Sequence, residues 1–184
     1  MAMELARPLT YDDLPQTADD GRRYEIIGGE LLVSPSPMTR HQLLVLQLSR
    51  SVADFVDEHS LGMVLPGPVD VRLGVHTVVV PDLLFVRSER PDIVKSTLVE
   101  GPPDLVVEVA SPSTRGRDNV QKAATYAEAG VPEYWLPDLE QRTFRMLVLR
   151  DGVYRDAEPV DGQFHSTVIE GLAIDPEVLF AGLD

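Results

Sequence analysis

Two apolar, β-branched runs, each interrupted by a single carboxylate, constrain this chain more than any other feature. One is Val78-Val79-Val80-Pro81-Asp82-Leu83-Leu84-Phe85-Val86; the other is Leu105-Val106-Val107-Glu108-Val109. Segments this rich in valine and leucine read as buried strands. A carboxylate on a buried strand is costly unless it is paired or coordinates a metal. Two such acids on two such strands point to a metal site built on a sheet. The competing reading has each acid capping a strand end or pairing with an arginine; the locally basic helix that comes after them favours the metal.

The 184 residues suffice for one domain with a real core. We expect a single domain over 1–184, with an irregular lead-in at 1–20, a core at about 21–140 and a β extension at 141–184. The absence of cysteine leaves oxygen or histidine as metal ligands. Met-Ala-Met-Glu-Leu-Ala-Arg lacks the apolar centre of a signal peptide, and no run is long enough to span a bilayer. The expectation is a cytoplasmic protein with no membrane partner.

The formal charge is −14, which argues against broad, non-specific nucleic-acid binding. The acid is unevenly placed. From Asp151 onward there are eight acids and one base, whereas Ser111 to Tyr126 carries Arg115, Arg117 and Lys122 against Asp118. A local positive patch can still meet a phosphate. Fourteen of the 16 bases are arginine, so Lys95 and Lys122 stand out as the lysines. Lysine is a compact charge whose pKa shifts on burial, a property arginine lacks; chance retention explains two residues equally well.

Along the chain, a short helical turn is expected at Thr10–Leu14. A tight hairpin comes next, Tyr24–Ile27 and Glu30–Val33 around Gly28-Gly29. Thr39 reads as the N-cap of a helix over about 40–58, with Gln42 completing a capping box and Leu44, Leu48, Val52, Phe55 and Val56 as its buried face. Short strands are expected at Met63–Leu65, Val69–Leu73 and Thr77–Val86, with Pro81 implying a bulge or edge beside Asp82. Ser88–Pro103 reads as a polar connection and Ser111–Gly116 as a loop. A second helix runs from about Arg117 to Ala129, with Val120, Ala123, Ala124 and Ala127 as its packing face, ended by Gly130 and Pro132. Beyond it lie Glu133–Leu136, a hairpin at Thr143–Arg155 and a strand at Phe164–Ile169, then a terminal helix capped by Asp175 before Pro176. The fold class is α/β: a central mixed β-sheet flanked by the helices, with extra N- and C-terminal β-hairpins.

The chemistry of phosphodiester hydrolysis fits this order. A divalent cation binds phosphate and activates water, hard Mg²⁺ or Mn²⁺ prefers carboxylate and carbonyl oxygen, and a lysine orients water or neutralises developing charge. Asp82, Glu108 and Lys122 supply that set, with the backbone carbonyl of Val109 as a further metal ligand. Spacing puts Asp118, Lys122 and Tyr126 on one i, i+4 stripe; by itself this equally describes a solvated Asp–Lys pair.

Pro81-Asp82 followed by Glu108-Val109-Ala110, in this element order, resembles the PD-(D/E)XK nuclease superfamily. Tyr24-Glu25-Ile26-Ile27-Gly28-Gly29-Glu30-Leu31, Ser34-Pro35-Ser36-Pro37 before His41-Gln42, Asp104 through Ser113, and Gly130-Val131-Pro132-Glu133-Tyr134-Trp135 are similar to its Uma-two family of putative restriction endonucleases. The resemblance implies a restriction-endonuclease-like core, DNA as substrate and Mg²⁺ or Mn²⁺ as cofactor; cutting both strands of a duplex would favour a homodimer, since one site cuts one strand. The superfamily pattern places lysine two residues after the glutamate, where this chain has Ala110. The resemblance implies that Lys122 on the following helix takes that role.

His41, opening the first helix, is a candidate proton shuttle or phosphate contact. Glu25 and Glu30, at opposite ends of the hairpin, are candidate additional ligands, and Tyr126 is a further auxiliary residue. His59, His76 and His165 lack metal-like spacing. The function expected is a metal-dependent endonuclease acting on DNA. A non-catalytic interaction module that kept the fold, and a hydrolase of another phosphoester, are the alternatives.

Overall fold

The computed structural model describes residues 7–17, 20–110 and 117–183, and the side chains of all of these except 16 and 117–119. The expected loop at 111–116 and the side chain of Asp118 therefore lie outside the described residues. A 3-10 helix (Tyr11–Gln16) leads into β1 (Arg23–Ile27), β2 (Glu30–Ser34), α1 (Thr39–Glu58), β3 (Gly62–Pro66), β4 (Val71–Gly74), β5 (Thr77–Val79) and β6 (Leu83–Arg87). A 3-10 turn (Pro91–Ile93), β7 (Val99–Glu100), β8 (Leu105–Val107), α2 (Arg117–Ala129), β9 (Glu133–Asp138), β10 (Thr143–Arg150) and β11 (Val153–Asp156) come next. β12 (Phe164–His165), β13 (Ala173–Ile174) and α3 (Pro176–Leu179) close the chain. None of these helices is long and apolar enough to cross a membrane.

The α/β class holds, with the strands divided between two mixed sheets. The larger runs β11-β10-β9-β8-β6-β3; the smaller runs β2-β1-β5-β4-β7. β12 and β13 pair separately. The N-terminal hairpin thus belongs to the second sheet, and the C-terminal hairpin extends the first as its edge.

Side-chain parity sorts the core into two layers across the larger sheet. Leu83 and Phe85, Leu105 and Val107, and Trp135 face α1, meeting Leu44, Leu48, Val52 and Val56. Leu84 and Val86, Val106, Tyr134 and Leu136 face the opposite way, onto Tyr126 of α2 and onto Ile27, Val71, Val79 and Val99 of the smaller sheet. Both faces of the central strands are covered, which explains their unbroken apolar sequence.

Several expectations are corrected. The Thr77–Val86 run is two strands in different sheets, β5 and β6, with the chain changing sheets at Val80-Pro81-Asp82. Pro81 donates no ladder bond and so suits the break. Gly67 lies against the crossing: its N–H donates to the Asp82 carbonyl at 2.9 Å, and a Cβ there would stand 2.4 Å from the Pro81 carbonyl oxygen. Helix α1 is capped by Met38, not Thr39; the Gln42 N–H donates to the Met38 carbonyl, and no side chain caps the end. The polar connection 88–103 contains β7, which pairs parallel with β4. The packing face of α2 is only partly the expected one: Ala123 packs against the core and Ala127 is half-buried, but the other two residues are turned outward. Val120 is 72% exposed and Ala124 exposed, while Tyr126 is fully buried. A large ring and a paired ammonium fill the gap that small residues would leave open.

The expected strand 164–169 stops after His165 because Glu133 captures the backbone beyond it. Glu133 is fully buried. Its Oε2 accepts from the Thr167 N–H at 2.6 Å and hydroxyl at 2.7 Å; its Oε1 accepts from Trp135 Nε1 and the Ser166 hydroxyl, both at 2.8 Å. A buried carboxylate with four donors is stable, but its loss strands those donors. Glu133→Ala should therefore lower unfolding free energy by about 2–4 kcal/mol in urea titrations; a loss under about 0.5 kcal/mol, the size of a surface change, would contradict this role.

Candidate active site

The register of β6 against β8 brings the two anomalous acids together. Leu83 pairs with Val107 and Leu84 with Val106, antiparallel. Continued by one residue, the same register sets Asp82 opposite Glu108. Parity then aims both carboxylates at the layer under α2 and the smaller sheet. The backbone is tied at this point by the Asp82 N–H to the Val107 carbonyl at 3.1 Å, and the Glu108 N–H to the Trp135 carbonyl at 3.1 Å. Both acids are buried.

Helix α2 supplies the counter-charge. Lys122 Nζ lies 2.8 Å from Glu108 Oε1 and 2.8 Å from Glu25 Oε1, with its side chain only 12% exposed. One turn on, the Tyr126 hydroxyl donates to the same Glu108 oxygen at 2.7 Å. The Lys122–Tyr126 part of the i, i+4 stripe is therefore buried rather than solvated. Glu25, on β1, also accepts from the Val80 N–H at 2.8 Å, at the crossing between sheets.

Asp82 is held by three donors: Arg23 Nη1 to Oδ1 at 2.7 Å, the Val109 N–H to Oδ2 at 2.8 Å, and His41 Nε2 at 3.1 Å from Oδ2. His41, from the first turn of α1, is buried, and its Nδ1 has no hydrogen-bond partner among the described residues. The sequence pattern did not single out Arg23, although it stands two residues before Glu25 and so on the same strand face. Arginine pairing, the competing explanation of a strand acid, thus holds for Asp82 within a larger cluster. Glu30 is not brought to the site; it is exposed at the start of β2, opposite Ile27.

Three carboxylates (Glu25, Asp82, Glu108) face two fixed cations (Arg23, Lys122), and the imbalance falls on Glu108. Burial raises its carboxyl; Lys122 opposes the rise, Glu25 and Asp82 add to it, and the net result is about 7. Burial acts the same way on Asp82, but the His41 hydrogen bond, Arg23 and the Val109 N–H outweigh it and the carboxyl falls below its ordinary value. Burial alone would lower Lys122, yet Glu108 and Glu25 hold it above the ordinary lysine value, so it stays charged.

The donor chemistry suits a hard divalent ion. Hydrogen bonds among the described residues take Oε1 of Glu25 and of Glu108 and reach Oε2 of neither. No group of three or more Asp, Glu, His or Cys able to hold a metal is present among the described residues. Mg²⁺ needs fewer, since one or two carboxylates with waters and a substrate phosphate suffice.

Two mixed sheets enclosing a buried Asp–Glu–Lys cluster define a nuclease-like α/β fold. A family model described as Uma2, putative restriction endonuclease, matches residues 8–177, and the chain belongs to this family. A crystal structure described as a putative nuclease of the DUF820 family, from Anabaena variabilis, shares the fold: TM-score 0.79 at 16% identity, covering 96% of this chain and 99% of that one. No curated protein matches the chain.

The opposite shifts of Glu108 and Asp82 give opposite pH dependences. Between its ordinary 4.5 and about 7, Glu108 keeps a proton in the folded state that the unfolded chain has released. Its contribution is full below the unfolded value and lost as pH rises through the folded one. The contribution of Asp82 is present above the ordinary 3.8 and lost as pH falls through its lowered folded value. Glu108→Gln removes only the first dependence. Relative to wild type, the variant should gain on the order of 1–3 kcal/mol on going from about pH 5 to about pH 8, read by urea unfolding at both. A constant difference would show that Glu108 titrates normally.

Proposed function

We propose that the protein is a metal-dependent endonuclease hydrolysing DNA phosphodiester bonds. One observation carries the reading: Asp82, Glu108 and Lys122, from β-segments and a helix far apart in sequence, meet in one buried cluster on a chain of a restriction-endonuclease family. Asp82, Glu108 and the Val109 carbonyl would hold Mg²⁺ or Mn²⁺, with the second oxygen of Glu25 within the same cluster. Bound there, the ion supplies Lewis-acid polarisation of the phosphate and acidifies water.

The chain's own groups do the remaining work. Lys122 is fixed by two carboxylates, so its positive charge is already in place where negative charge grows on the phosphate oxygens, without reorganisation. Glu108 accepts from Lys122 and Tyr126 through one oxygen, which leaves its second oxygen for the ion. Tyr126 holds the Glu108 oxygen that Lys122 also grips. Asp82 anchors the His41 ring at Nε2, leaving Nδ1 for proton transfer. Cutting both strands of a duplex requires two such sites, which favours a homodimer.

The non-catalytic alternative draws on the same ion pairs: Arg23 and Lys122 already neutralise much of the cluster. Metal binding separates the two readings. Mn²⁺ should raise the thermal midpoint of the wild type, because a ligand that binds only the folded state stabilises it. Asp82→Ala and Glu108→Ala should each abolish that rise. In plasmid nicking with Mn²⁺, Lys122→Ala should lose roughly a hundredfold or more in rate. No Mn²⁺ shift in the wild type would sink the metal site, and equal nicking by Lys122→Ala would remove the lysine from the mechanism.

A further inference from the structure

Beside the carboxylate cluster, a groove of about 410 Å³ opens between the 3-10 helix, the start of β1 and the Pro68–Asp70 turn. Its size falls in the range of ligand pockets, roughly 300–1,000 Å³. Tyr11, Arg22, Arg23, Tyr24 and Asp70 contribute its polar and aromatic lining. Asp20 borders this wall as well: Arg22 Nε donates to its Oδ2 at 2.7 Å and the Tyr24 hydroxyl to the same oxygen at 3.0 Å, so Arg22 is paired in place and Arg23 carries the unspent donors.

Arg23 joins the groove to the site. Its Nη1 bonds Asp82 Oδ1 at 2.7 Å and the Val80 carbonyl at 3.2 Å. Among the described residues no hydrogen bond uses its Nε or Nη2. A guanidinium has five donors in a rigid fork, so the remaining ones are available to a phosphate. The Arg22 guanidinium lies 5.8 Å over the Tyr24 ring, a cation–π stack. An arginine stacked on an aromatic ring, next to a second arginine with free donors, is the arrangement that receives an unpaired base and its phosphate.

We propose that this groove binds an unpaired nucleotide of a single-stranded DNA segment, its phosphate on Arg23 and its base against the Arg22–Tyr24 stack. The inference deepens the nuclease reading and rests on it in one respect: the strand would run from Arg23 toward the carboxylate cluster, to which Arg23 is joined through Asp82. Duplex DNA would then have to open locally at the site, since a paired base has no free face to offer.

The test is binding rather than cleavage, measured on the full chain in EDTA by fluorescence anisotropy with a short fluorescein-labelled oligothymidylate. Wild type should bind it more tightly than a blunt duplex of equal length. Tyr24→Ala should weaken binding about tenfold, in keeping with the loss of one base stack, and Tyr24→Phe should restore it. Arg22→Gln, at an exposed position, should also weaken it and serves as the second variant if loss of the Tyr24 ring disturbs β1. Absence of oligothymidylate binding, or equal binding by wild type and both variants, would overturn the proposal. Plasmid nicking separates the two claims. A wild type that binds through Tyr24 but never nicks would leave the groove and remove the nuclease reading. One that nicks, with Tyr24→Ala and Arg22→Gln unchanged in binding and KM, would do the reverse.

Discussion

The pairing of β6 with β8 forces two carboxylates to face each other across a sheet that is covered on both sides. Like charges in a poorly solvated layer repel, and the arrangement persists only because cations are built in with it. Lys122 reaches Glu108 and Glu25 together, and Arg23 reaches Asp82. Much of the surrounding architecture answers this need. Helix α2 must turn its lysine and tyrosine inward, and the smaller sheet must present Arg23 and Glu25 from one face of β1.

The cluster divides its labour between two kinds of acid. Asp82 has both oxygens engaged, one of them twice, and its ionised form is the favoured one. It acts as a keystone that ties β1, α1 and the end of β8 to the crossing between sheets. Glu108 shares a single oxygen between lysine and tyrosine, and its charge is the least compensated. A group of that sort is where a cation or a proton can be exchanged at modest cost. Glu133 lies on the next strand among apolar neighbours, yet four donors, one from Trp135 on its own strand and three from Ser166 and Thr167, make it a tether. Partner geometry, not residue type, separates the two glutamates.

An acidic protein in a nuclease family poses a question of attraction. Long-range steering toward a polyanion is unfavourable at this net charge. In the nuclease reading proposed above, contact with phosphate would come from a few basic residues whose own partners hold them in place. Such contacts would be short-ranged and position-specific, which suits recognition of a particular strand geometry better than loose sliding on a duplex.

Local rules of hydrophobic run, turn residue and helix stop are enough to put Asp82 and Glu108 on buried β segments. They also place the hairpin turn at Gly28-Gly29, the hairpin over 143–155, and α2 over 117–129. The scarcity of lysine and then family likeness, rather than any periodicity, directed attention to Lys122. Which face of α2 is buried lay beyond those rules, because alanine spacing and a lysine–tyrosine stripe are both compatible with an isolated helix. The division of Thr77–Val86 between two sheets was equally hidden, since alternation along a chain carries no information about its hydrogen-bonding neighbours. Arg23 and the closing of the charge balance depended on packing across some 60 residues of intervening chain. Electrostatic partners that distant are chosen by the register of strands, and register is a property of the assembled sheets.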